Sequence, residues 1–184
     1  MKRILSILAL LVLAASAHAD SSYPSTSIYQ LEAKLENQAG VKHGLDVYEG
    51  HPVLVTMFYS SCGHTCPLLI DTMRTIERTL PDAKNLRVLL ISFDPERDTQ
   101  TVLAKLAKDR RIDTSRWTLA RGDAATARKI AAVLNIQYKQ LPDGEFNHSN
   151  VITVLKPNGE IAAQSSSLGK ADAALIKALR HWAQ

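Results

Sequence analysis

The chain has 184 residues, 46% of them hydrophobic and 22% charged, and carries a net charge of +4. That length fits one ordinary domain, and the composition excludes a disordered, collagen-like or coiled-coil chain. Two cysteines are too few for the disulfide scaffold of a small secreted protein.

Residues 1–19 read MKRILSILALLVLAASAHA. Lys2 and Arg3 make a positive start, residues 4–15 are almost wholly apolar, and Ala17-His18-Ala19 is a small-x-small cleavage site. That order is the mark of a secretory signal peptide. The apolar run falls short of the roughly 20 residues of a spanning helix, and no cysteine stands at the cleavage site to accept a lipid. Cleavage after Ala19 leaves 165 residues and lowers the charge to +2, which gives no argument for a nucleic-acid partner. The expected mature protein is periplasmic, soluble and without a membrane anchor, in a compartment where a disulfide can persist.

Residues 20–50 are rich in Ser, Tyr and charge with weak periodicity, and read as an N-terminal lead-in, in part strand. Regular structure is expected from Val53, in a domain over 51–184. Residues 53–59 are almost continuously apolar, as in a strand covered on both faces. Leu69, Met73, Ile76 and Leu80 form a helical stripe that places Met73 in the core, and 86–91 is a second buried strand. Strand, helix and strand in that order predict a right-handed parallel crossover.

Val102, Leu103 and Leu106 mark a helix, 117–120 a short strand, and Ala127, Ile130, Val133 and Leu134 a further helix. Strands over 151–155 and 160–163 flank Lys156-Pro157-Asn158-Gly159, a tight hairpin turn. Leu175, Ala178, Leu179 and Trp182 give the inner face of a last helix. The predicted fold is therefore α/β, a sheet with helices on both faces.

Ser60-Ser61-Cys62-Gly63-His64-Thr65-Cys66-Pro67 follows the first buried strand directly, and sites in open α/β sheets lie beyond the carboxyl ends of strands. Cysteines four apart share one face of a helical turn, and Pro67 is at home in a first turn. A helix N-terminus there favours the thiolate, which is both nucleophile and metal ligand. A structural disulfide between them would close too small a loop to stabilise much. Two soft thiolates select Cu(I), zinc or iron–sulfur over hard metals, and a metal held by two thiolates alone needs a third ligand. His148, in Asn147-His148-Ser149, is a candidate that only the fold can bring near, and His64 is a second histidine beside the pair. His43, His51 and His181 read as surface residues. In Asp94-Pro95-Glu96-Arg97-Asp98 the strand stops at Pro95 and Asp98 is expected to cap the next helix.

Cys-x-x-x-Cys-Pro after an apolar strand, then Ile91-Ser92-Phe93-Asp94-Pro95-Glu96-Arg97-Asp98-Thr99, then His-Ser ahead of a Pro-Asn-Gly hairpin, resembles the Sco/SenC family over residues 45–182. The resemblance implies a thioredoxin-like fold and one copper ion, Cu(I) or Cu(II), held by Cys62, Cys66 and His148. It further implies a copper chaperone that delivers copper to the dinuclear centre of cytochrome c oxidase, or reduces that centre's cysteines. This chain differs from the family pattern in its Gly63-His64-Thr65 insert, in Asn147 where an aspartate is common, and in a short segment from Tyr138 to Phe146. The rival reading is a thiol–disulfide oxidoreductase or peroxide reductase, in which Cys62 attacks a partner's disulfide and Cys66 resolves the mixed intermediate.

Overall fold

The structure, a computed structural model, describes residues 23–63 and 65–183. The signal peptide read over 1–19 and the candidate His64 lie outside the described residues. The strand expected in part of the lead-in is present, so regular structure starts before Val53. Leu35–Asn37 (β1) and Lys42–His43 (β2) pair with each other, and β1 joins the main sheet. Then follow Val53–Phe58 (β3), Thr65–Arg78 (α1), Arg87–Ser92 (β4), Gln100–Asp109 (α2), Trp117–Arg121 (β5) and Ala124–Val133 (α3). The chain continues through Tyr138–Gln140 (β6), Phe146–His148 (β7), Ile152–Leu155 (β8), Ile161–Ser165 (β9) and Ala173–Trp182 (α4).

Seven strands form one mixed sheet in the order β2-β1-β5-β4-β3-β8-β9. β3 runs parallel to β4, and β4 parallel to β5, as the crossover rule requires. β8 closes antiparallel on β3 with Val53 opposite Leu155. All six residues of β3 are buried, so both faces of the sheet are covered there. Leu69, Met73 and Ile76 of α1 and Met57 of β3 lie in the core as expected. Trp117 ties β5 to α1 through an indole hydrogen bond to Glu77 (2.9 Å). The architecture is thioredoxin-like α/β.

The expected lead-in is, over its described residues, built into this core. Ile28, Leu35 and Leu45 are each about 1% exposed. The segment docks on the β8–β9 turn: the Ile28 N–H donates to Gly159 O (3.0 Å), and the Ser27 hydroxyl to Asn158 O (2.6 Å). Gly159 has φ +81°, and a Cβ there would stand 2.4 Å from Ser27 Oγ and 2.7 Å from the Tyr29 ring. Gly159→Ala is therefore expected to cost about 2–4 kcal/mol, left-handed strain and overpacking combined. Denaturant unfolding of the two proteins checks this, and a cost below about 1 kcal/mol would mean that the docked segment yields.

α2 is capped by Thr99, whose hydroxyl accepts from the Val102 N–H, and not by Asp98. Thr99 has the extended backbone a cap needs, and Asp98 turns inward to complete burial.

Candidate metal centre

The carboxyl ends of β3 and β4 bring the chemistry together. Tyr59 follows β3, and its carbonyl accepts from both the Cys62 N–H (3.4 Å) and the Cys66 thiol (3.1 Å). Cys66 is the second residue of α1, with Pro67 in the same first turn as predicted. Both cysteines are buried thiols, 8% and 4% exposed. They lie close enough for Cys62 to act on the ionisation of Cys66 by charge and by hydrogen bonding.

The expected lowering of the thiol pKa by the helix N-terminus does not hold at Cys66. Burial pushes this thiol up, and proximity to Cys62 adds to the rise against the single bond to Tyr59 O. Cys66 is thus protonated at neutral pH, and a metal ion must displace that proton to bind there.

His148 ends β7, part of a two-stranded sheet that β6 and β7 form by themselves. Its ring packs edge-on against Tyr59 (centroids 5.7 Å, 88°) and tilted on Phe93 (5.3 Å). Nδ1 lies 3.3 Å from Ser149 O. With the proton on Nδ1, Nε2 carries the lone pair a metal needs. A cleft of about 480 Å³ lined by Tyr138, Lys139, Asn147 and His148 opens beside the ring.

The fold thus carries His148 onto the tyrosine that holds the cysteine loop, across 82 residues of sequence from Cys66. It does not assemble the three donors into a finished ligand cage: among the described residues no three His, Cys, Asp or Glu side chains stand ready to hold a metal. Tyr59 connects the two parts. Its ring meets His148, its carbonyl meets Cys66, and its phenol interacts with Cys62 and donates to Glu145 (2.7 Å). Burial, aided by Glu145 and Cys62, pushes that phenol well above its ordinary value, so it stays a donor.

Three contributors were not read from the sequence. Asp98 is fully buried and accepts from the Ser60 N–H (3.1 Å) and from the Ser60 and Ser92 hydroxyls, so it fastens the start of the cysteine loop to the end of β4. Arg97 pairs with buried Asp94 and reaches Gly144 O (2.6 Å). Glu145 receives the Tyr59 phenol. Leu141-Pro142-Asp143-Gly144 is a turn signal that could have revealed the hairpin carrying two of these contacts. His43 and His51, expected at the surface, are half-buried, each with Nδ1 against a backbone carbonyl.

Two adjacent thiols at a strand–helix junction, with an imidazole on a neighbouring hairpin, define a thioredoxin-like dithiol protein. Such a set suits a soft metal ion, or reversible disulfide formation between the thiols. The SCO1/SenC family model matches residues 23–184, and the chain belongs to that family. It is 25% identical over 139 residues, 72% of either chain, to the SCO1 protein homolog of Bacillus subtilis (strain 168). Among solved structures, Arabidopsis thaliana ScoI with copper bound superposes with a TM-score of 0.71 at 17% identity, over 82% of this chain and 97% of that one. BsSco, a member of the Sco family of cytochrome c oxidase assembly proteins with an identified disulfide switch, gives 0.63 at 21% identity, over 77% and 86%.

Proposed function

We propose that the protein is a periplasmic copper chaperone that binds one copper ion through Cys62, Cys66 and His148. It delivers that ion to the dinuclear copper centre of cytochrome c oxidase, or reduces the cysteines of that centre beforehand. The observation that carries the reading is the position of His148, packed on the same tyrosine whose carbonyl holds Cys66. A dithiol oxidoreductase has no evident use for an imidazole there, whereas a soft ion held by two thiolates needs a third donor. Family membership and the copper-bound relative support the choice of metal. Copper is cargo here, passed on when an acceptor's thiolates exchange for those of the chain.

The test is anaerobic titration of the reduced protein with Cu(I) against a chelator, followed by oxidation and absorption spectroscopy. One-to-one binding with thiolate-to-Cu(II) charge-transfer bands is expected. If the chelator keeps the metal while the thiols readily reduce a disulfide substrate, the oxidoreductase reading replaces this one. In that case Cys62 forms the mixed disulfide, Cys66 displaces the second substrate thiol, and the chain is left oxidised as Cys62–Cys66. The periplasmic part has its own check: the exported protein should begin at Asp20, and recovery of the intact leader would refute cleavage.

A further inference from the structure

The hairpin that carries His148 has no strand partner in the main sheet. Three residues per strand is too little for a two-stranded sheet to be stable by itself in water. Something outside the ladder must fix where it lies. Among the described residues, the side chains from outside the hairpin that hydrogen-bond to its tip come from the loops around the thiols, and the Tyr59 phenol also takes a backbone hydrogen bond from Phe146. Tyr59, directly after β3, donates its phenol proton to Glu145 (2.7 Å). Arg97, between β4 and α2, donates from Nη2 to Gly144 O (2.6 Å).

Arg97 is itself held in place. Its Nε donates to Asp94, which is 5% exposed and receives no freedom from solvent. Its guanidinium lies over the Phe146 ring (5.5 Å) and the Tyr59 ring (6.0 Å). Along the hairpin, Tyr138 stacks on Phe93 (4.8 Å, 17°). His148 stands two residues beyond Phe146, at the far end of the same short strand. With tip and flank both fastened, the position of the imidazole follows from them.

We infer that the Tyr59–Glu145 and Arg97–Gly144 hydrogen bonds form a two-point latch that positions the His148 hairpin over the cysteine loop. Glu145 and Arg97 are positioning residues and do not touch the metal. The effect on the third ligand rests on the copper reading above, whereas the latch itself is a property of the metal-free protein.

Amide hydrogen exchange of the metal-free protein tests the latch. In Glu145→Ala, residues 138–148 are expected to exchange about tenfold faster, the order set by losing a hydrogen bond to a charged group. β3 and β4 keep their wild-type rates. Glu145→Gln, which retains an acceptor oxygen, restores most of the protection, and Arg97→Lys, which loses the forked donor, repeats the effect of Glu145→Ala. A double-mutant cycle then compares Cu(I) affinities. Glu145→Ala costs about tenfold when His148 is present and nearly nothing in a His148→Ala background. Unchanged hairpin exchange in both latch variants, or losses that simply multiply in the cycle, overturns the proposal. If the wild type takes no copper, the functional reading fails, and the exchange rates still decide the latch.

Discussion

Replacing Asp98 with alanine is expected to cost about 3–4 kcal/mol, which for a domain of this size is a fall in Tm of about 6–16 °C. The carboxylate is fully buried and satisfies the Ser60 N–H and two hydroxyls. The hydroxyls can turn to other partners, but the Ser60 N–H would be left dry. Asp98→Asn keeps an acceptor and should cost less than half as much. Both variants also depart from the wild type in pH dependence. Burial raises the Asp98 carboxyl above its ordinary 3.8, in opposition to the Ser60 and Ser92 hydrogen bonds. The folded state therefore holds this proton more tightly than the unfolded chain. Stability falls as pH rises from about 3.8 through the raised value, and both variants, which lack the carboxyl, should lack that decline. Urea unfolding across this acid range checks both points. If alanine costs no more than asparagine, the buried carboxylate does not hold the loop.

The second large effect is expected in the ligand series. Apparent energies of about 10–16 kcal/mol for four-ligand zinc sites make each ligand worth about 2.5–4 kcal/mol, or about two to three orders of magnitude in affinity. Cys62→Ser and Cys66→Ser should each lose Cu(I) affinity by about that much, since a hydroxyl is a hard, protonated donor. His148→Ala should lose affinity as well, while its thiols still exchange with a disulfide at nearly the wild-type rate. Competition titrations measure the first effect and mixed-disulfide kinetics the second. Full copper affinity in His148→Ala, with unchanged spectra, would remove the imidazole from the site.

The elements legible in the sequence are those whose burial writes a period. β3 is buried at every position and reads as an unbroken apolar run, while α1 shows its stripe at Leu69, Met73 and Ile76. β1 and β2 are three and two residues long, with polar residues among them, so no period could emerge. β6 and β7 read Tyr-Lys-Gln and Phe-Asn-His for the same reason. The cysteine pair was legible because strand, spacing and Pro67 all lie in one short stretch. What joins His148 to it was not: Tyr59 reads as the end of an apolar strand, and its carbonyl, phenol and ring acquire their separate roles only when β3, α1 and the hairpin converge. Asp98 misled for a related reason. Aspartate before a helix is a good cap, and only the buried hydroxyls of Ser60 and Ser92 reveal why Thr99 takes that place.

The separation of the β6–β7 hairpin from the seven-stranded sheet has a kinetic consequence. The thiols stand at the end of the rigid central strand, and the imidazole stands on a small element that can lift away without breaking any strand pairing of that sheet. Residence time of a bound ion and resistance of the molecule to heat are then governed by different barriers. The first follows opening of the hairpin, a local event, and the second follows global unfolding. On the copper reading proposed above, substitutions at the hairpin tip should quicken or slow the loss of a bound ion while Tm barely moves, so that the lifetime of the bound state is tuned independently of how long the protein survives.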